Sequence, residues 1–236
     1  DDADVVGYTV TFTQAVQNVT SEDLAITGGT LEGPVALSND GLTATFNVKA
    51  PQDSVENLSV MVKDTVKDLA GNALVPATDA TVTVDTRNPT AQLAENNTDG
   101  VVSDTDQAVT YTVTFSEAVA GLGGDDIEVT NGAVVAGSIA VAADGLSATF
   151  DVKAADELTG VEALSVSIKD TVVDLSGNAL DMSKGVVSLK LDVDTENPQA
   201  QSVQARPADL GQGNVDAAVT LTVAFNEAMD TNVAPE

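Results

Sequence analysis

The sequence predicts an all-β protein built from tandem antiparallel Greek-key β-sandwiches, and three observations lead there. The first is self-repetition. Tyr8-Thr-Val-Thr-Phe12 recurs as Tyr111-Thr-Val-Thr-Phe115, and Lys63-Asp-Thr-Val-Lys-Asp-Leu-Ala-Gly-Asn-Ala-Leu74 recurs as Lys169-Asp-Thr-Val-Val-Asp-Leu-Ser-Gly-Asn-Ala-Leu180. Val84-Asp-Thr-Arg-Asn-Pro89 returns as Val193-Asp-Thr-Glu-Asn-Pro198, and a third copy opens at Leu221-Thr-Val-Ala-Phe225. A period of about 100 residues exceeds that of solenoid repeats and matches one small domain. The second observation is period-two alternation in β-branched segments such as Val109–Phe115, Ala148–Val152, Leu164–Ile168 and Val187–Val193. The third is the turn chemistry between them: Asp40-Gly41, Asp99-Gly100, Asn131-Gly132 and Asp144-Gly145. About seven short strands per ~100 residues, separated by turns, is the pattern of a Greek-key sandwich.

The elements follow in order. In the second repeat, strand A is expected near Thr90–Ala94, strand B over Ala108–Phe115 and strand C over Ile127–Thr130. A strand should run through Val134–Val141, then E over Leu146–Lys153, F over Ala163–Lys169 and G over Val186–Val193. The first repeat fits the same frame, with B at Gly7–Phe12, E at Leu42–Lys49, F at Leu58–Lys63 and G at Thr81–Val84, but lacks most of strand A. The third copy has only its first two strands, near Ala200–Ala205 and Ala218–Phe225, too few to bury a core alone. The domain limits are therefore 1–85, 86–194 and 195–236, and the chain reads as a length of a longer array. The joints are Asp85-Thr-Arg-Asn-Pro89 and Asp194-Thr-Glu-Asn-Pro198; being short, proline-containing and free of glycine, they should be semi-rigid.

Composition narrows function. With 37 acidic and 9 basic residues the net charge is -28, while 43% hydrophobic content supports folded cores. Such acidity argues against nucleic acid and anionic membrane surfaces as partners. No apolar run is long enough to span a bilayer, and the first residues resemble no signal peptide. Cysteine and histidine are both absent, so disulfides are excluded and any metal would be held by oxygen. The charge serves solubility, cation binding, or both.

Strand directions in a sandwich bring the B–C loop, the Asp144-Gly145 turn and the F–G loop to one pole, next to the linker. Asp85, Asn88, Glu117, Asp125, Asp126, Asp144, Asp170, Asp174 and Asn178 would meet there. Loosely arranged hard oxygen ligands suit Ca²⁺ better than Mg²⁺ or softer metals. The plainer alternative is that Asp and Asn form turns, which applies most directly to Asp40 and Asp144. No EF-hand loop is present.

Phe115-Ser-Glu-Ala-Val119, Asp174-Leu-Ser-Gly-Asn178 and Asp194-Thr-Glu-Asn-Pro198 resemble bacterial immunoglobulin-like tandem repeats of large Gram-negative surface adhesins of the repeats-in-toxin type. The resemblance covers nearly the whole chain. It implies immunoglobulin-like sandwiches forming an extracellular extender that projects an adhesive tip, with Ca²⁺ stiffening the joints and neighbouring repeats as the partners. Carried over, Asp85 and Asn88 would act with Glu117, Asp126, Asp170 and Asp174, and a second joint would use Asp194, Asn197 and Glu227. The first repeat departs from the pattern, because Gln14 stands where Glu117 does, which leaves Asp64 and Asp68 without that partner.

Two other functions compete with the extender. A module binding a glycan or a host surface protein would need an aromatic platform, yet aromatics are 3% of the chain and fall at repeat-equivalent strand positions that core packing explains. Catalysis would need a pocket motif, and none is recognisable, so no enzyme is expected.

Overall fold

The computed structural model describes residues 5–98, 100–103, 108–156, 158, 161–206 and 218–227. Eighteen strands are formed among them, together with two 3₁₀ turns at Ser21–Asp23 and Gly124–Asp126. The chain is tandem immunoglobulin-like Greek-key sandwiches, and the second repeat has the fullest set of strands.

In that repeat, β7 (Ala91–Glu95), β9 (Val109–Phe115), β11 (Gly132–Val134), β12 (Ala140–Val141), β13 (Ser147–Ala154) and β15 (Gly185–Val186) form one sheet, in the order β11-β13-β9-β7-β15 with β12 also on β13. The facing sheet runs β10-β14-β16-β8, from Ile127–Thr130, Glu162–Ile168, Ser188–Asp194 and Val101–Ser103. This is the two-sheet division of an immunoglobulin fold, with strands A, B and E on one side and C, F and G on the other. The alternation is expressed directly: along β9 the pattern is buried at Val109, Tyr111, Val113 and Phe115 and more open between them. Tyr111 stacks on Phe150 at 5.6 Å between ring centroids, and Leu164, Val166 and Ile168 close the core from the other sheet. Each such side chain contributes roughly 1.5–3 kcal/mol by leaving water.

The first repeat has β1 (Val5–Thr11), β4 (Thr43–Lys49) and β3 (Thr30–Leu37) in one sheet and β2 (Leu24–Thr27), β5 (Val55–Val62) and β6 (Ala80–Asp85) in the other. Tyr8 stacks on Phe46 at 5.6 Å, as Tyr111 does on Phe150. In the third copy, β17 (Ala200–Arg206) and β18 (Thr220–Phe225) pair with each other, and every residue of both is exposed.

Three details depart from the expected strands. The segment 134–141 is two short strands, because Gly137 takes a positive φ of 78° and turns the chain between them. Strand G is split: β15 pairs with β7 and β16 with β8, both in parallel, so the chain changes sheets near Val187. Strand A divides likewise into β7 and β8 on opposite sheets. In the first repeat, β2 and β3 fill the places of β10 and β11, which the alternation there had not marked.

Candidate metal centre at the joint between repeats

The joint is tied at both ends. On the side of the first repeat, Thr86 donates its hydroxyl to the Pro51 carbonyl at 2.7 Å and its backbone N–H to Ser54 O at 2.8 Å. On the other side, the Asn88 amide donates to Ala179 O at 2.7 Å, the Asp181 N–H donates to Pro89 O at 2.9 Å, and Thr90 N–H donates to the Ser116 hydroxyl at 2.9 Å. Pro89 is buried. The next Asp-Thr-x-Asn-Pro segment repeats the first half of this scheme: Thr195 is buried and its hydroxyl accepts from Leu158 N–H at 3.0 Å.

Across this joint the F–G loop folds against the linker. Asp174 opens a tight loop in which its Oδ1 accepts the N–H groups of Ser176 and Asn178 at 2.7 and 2.8 Å, and Oδ2 accepts the Asn178 amide at 2.8 Å. Gly177, at φ 94°, makes the return possible. The Asp68–Asn72 loop of the first repeat has the same three bonds. The Asn178 amide also reaches the Asp85 carbonyl at 3.1 Å, and the Ser176 hydroxyl reaches Asp85 Oδ2 at 3.3 Å. Strand β9 ends just before Glu117, and the bridge between Val119 and Asp174 draws the start of the B–C loop onto the same place.

The consequence is a triad. One carboxylate oxygen from each of Asp85, Glu117 and Asp174 lies within 4.8 Å of the others, the one such acidic or metal-ligating cluster among the described residues. Asp174 is only 3% exposed. Glu117 Oε1 is buried without a hydrogen-bond partner. Burial raises the Glu117 pKa, the charges of Asp85 and Asp174 raise it further, and Arg87 partly offsets them. Three carboxylates this close repel one another unless a proton or a cation sits among them. An all-oxygen donor set with one orphaned, buried oxygen fits a hard divalent cation.

The remaining expected ligands are placed differently. Asn88 is exposed, with its amide nitrogen committed to Ala179 O. Asp126 serves the 3₁₀ turn: Oδ2 accepts from Gly123 N–H at 2.8 Å and Oδ1 from the Thr171 hydroxyl at 2.6 Å. Asp23 does the same in the first repeat, with Thr20 and Thr65. Asp170 is exposed on the turn after β14, outside the triad. Asp144 and Asp40 act in their own turns, each accepting the N–H two residues on at 3.0 Å. At the second joint, Glu227 also has a buried Oε1 without a partner, and burial followed by the charges of Asp194 and Glu196 raises its pKa. Asn197 is exposed there.

Sequence reasoning missed the cross-joint ion pair of Lys184 with Asp53 at 3.8 Å. Nothing local marks either residue. Arg87 had a visible signal, as the lone cation of an acidic linker.

Residues 2–84 match the family model of the bacterial Ig-like domain. Comparison with curated proteins found no match. Among solved structures, the chain is similar to InvD of Yersinia pseudotuberculosis, at 19% identity over 85% of this chain and 57% of that one, with a TM-score of 0.34. It is similar to domains 4–9 of the surface layer protein SbsC, at 14% identity over 93% of this chain and 34% of that one, with a TM-score of 0.29. It thus spans less than two thirds of either structure.

Proposed function

We propose that this chain is a length of a bacterial cell-surface extender, lying outside the cell, in which Ca²⁺ held at the joint stiffens one repeat against the next. The observation that carries the reading is the triad of Asp85, Glu117 and Asp174, which lies at a joint and contains a buried, partnerless oxygen. Asp85 belongs to the last strand of the first repeat, whereas Glu117 and Asp174 belong to the second. A cation there bonds both repeats at once. Tandem copies on tethered linkers suit length and stiffness. The aromatic side chains of the two repeats suit packing better than a glycan platform: Phe12, Phe46, Tyr111, Phe115 and Phe150 are all buried.

The test is thermal unfolding in EGTA, in excess Ca²⁺ and in excess Mg²⁺. The expected result is a Ca²⁺-specific rise in Tm that is abolished in Glu117→Gln and Asp174→Asn. Chelated, Glu117→Gln should be more stable than the parent, because one repelling charge is gone. A Tm unmoved by Ca²⁺ would reject the stiffened joint and leave the acids to solubility.

A further inference from the structure

The two Asp-Thr-x-Asn-Pro linkers are laid down in the same way and differ by one charge. Asp85 Oδ1 accepts the Arg87 N–H at 3.1 Å, and Asp194 Oδ1 accepts the Glu196 N–H at 3.3 Å. Just beyond the proline, each chain is tied to the end of a strand. Thr90 N–H donates to the Ser116 hydroxyl at 2.9 Å, and Gln199 N–H donates to the Asn226 side-chain oxygen at 2.6 Å. Ser116 precedes Glu117, and Asn226 precedes Glu227. The middle residue of each linker is therefore held between the linker aspartate and the strand-end glutamate. In the second linker its side chain reaches that strand end: Glu196 Oε1 accepts the Asn226 amide at 3.0 Å, next to Glu227. In the first linker the position holds Arg87, exposed and without an ion pair among the described residues. Its charge is still felt at the triad. Burial, Asp85 and Asp174 raise the Glu117 pKa, and Arg87 draws it down.

We propose that the middle linker residue sets how tightly a joint takes a divalent cation, and that Arg87 holds the first joint at the weak end. Given the calcium reading of the triad, on which this rests, a guanidinium held beside the three carboxylates acts twice. It repels the arriving cation, and it already eases the repulsion that the cation would relieve. Both effects lower affinity. A carboxylate at that position, as in Glu196, does the reverse. Arg87 is no ligand, so it acts through space and added salt should screen it. Changing this one exposed residue between joints would let them stiffen at different calcium concentrations on an unchanged fold.

The experiment is calorimetric titration of Ca²⁺ into the full chain, as the parent, Arg87→Lys, Arg87→Gln and Arg87→Glu, in low and in high KCl. Glu117→Gln identifies the heat that belongs to the first joint. Arg87→Lys should leave Kd within about twofold, Arg87→Gln should tighten it about three- to tenfold, and Arg87→Glu should tighten it further. The ratio of Arg87→Gln to parent should shrink in high KCl. A Glu117-dependent heat with the same Kd in all four proteins would overturn the role of Arg87 and leave the calcium joint standing. So would equal tightening by Arg87→Lys and Arg87→Gln, since charge would not be the cause, or an Arg87→Gln gain that high salt leaves unchanged. If none of the four proteins gives a Glu117-dependent heat, the calcium joint itself falls, and this proposal with it.

Discussion

At the scale of single residues, the most telling group outside the joint is Tyr111. Its ring is fully buried against Phe150, yet its hydroxyl has no hydrogen-bond partner. Burial pushes its pKa up to about 12, with Glu95 adding to the shift. An acid whose folded pKa is raised contributes stability below its unfolded pKa and loses it as pH climbs toward the folded one. Urea midpoints should therefore fall between about pH 10 and pH 12 in the parent, and fall less in Tyr111→Phe. At neutral pH that variant should be as stable or up to about 1 kcal/mol more so, because an unsatisfied buried hydroxyl is removed. A loss exceeding about 1 kcal/mol would mean the hydroxyl has a partner in solution. Gly132 offers a second check. A Cβ there would meet Lys153 O and Leu164 Cδ1, both at 2.7 Å. Gly132→Ala should cost about 1–3 kcal/mol by urea unfolding, through overpacking against backbone that cannot move aside.

At the scale of elements, equal sequences do unequal work. Val113→Ala empties a fully buried site and should cost about 2 kcal/mol. Val10→Ala, at the half-buried counterpart, should cost under about 1 kcal/mol. Separate urea titrations of the two variants check this, and equal costs would mean β1 is covered in solution as β9 is. The same comparison explains what could be read from the sequence. Strands β9, β13 and β14 were legible because each has one buried face, so period two is written into residue type. The split of strand G was not legible: β15 and β16 face different sheets, so alternation restarts near Val187. Strand β3 hid its period behind Gly33-Pro34, where the pairing shifts register. The site was legible to the extent that topology controls it. Asp85, Glu117 and Asp174 were brought to one pole by strand direction alone. Asp126 shares that pole and residue type, but one of its oxygens answers a local 3₁₀ turn and the other the Thr171 hydroxyl. Asp170, two residues before the buried Val172, points from an exposed turn. Pole membership follows from topology; which lone pairs remain free follows from hydrogen bonds that strand direction does not specify.

At the scale of the molecule, the question is how two adjacent repeats respond as one. Residues 80–85 complete the first repeat, and Asp85 in the same strand completes the triad of the second. Without a cation, the links across the joint are modest. The Lys184–Asp53 pair is long and exposed and contributes little, and three hydrogen bonds hold Asp85 and Asn88 to the F–G loop. Net charge of -28 works against close approach. Chelated protein should therefore unfold in two steps, the first repeat below the second because its core is only partly covered. A cation bound only when both repeats are folded adds RT ln(1 + [L]/Kd) to the first unfolding step, about 2.7 kcal/mol at a hundredfold excess over Kd, because it is released as soon as either repeat opens. Calcium should then raise the lower transition toward the upper, which stays as in chelator until the two merge. Asp85→Asn should keep two separated transitions in calcium, with the first repeat melting as in chelator. Differential scanning calorimetry decides it. If calcium lifts only the upper transition, the cation is held within the second repeat, and it stabilises a domain without stiffening the joint.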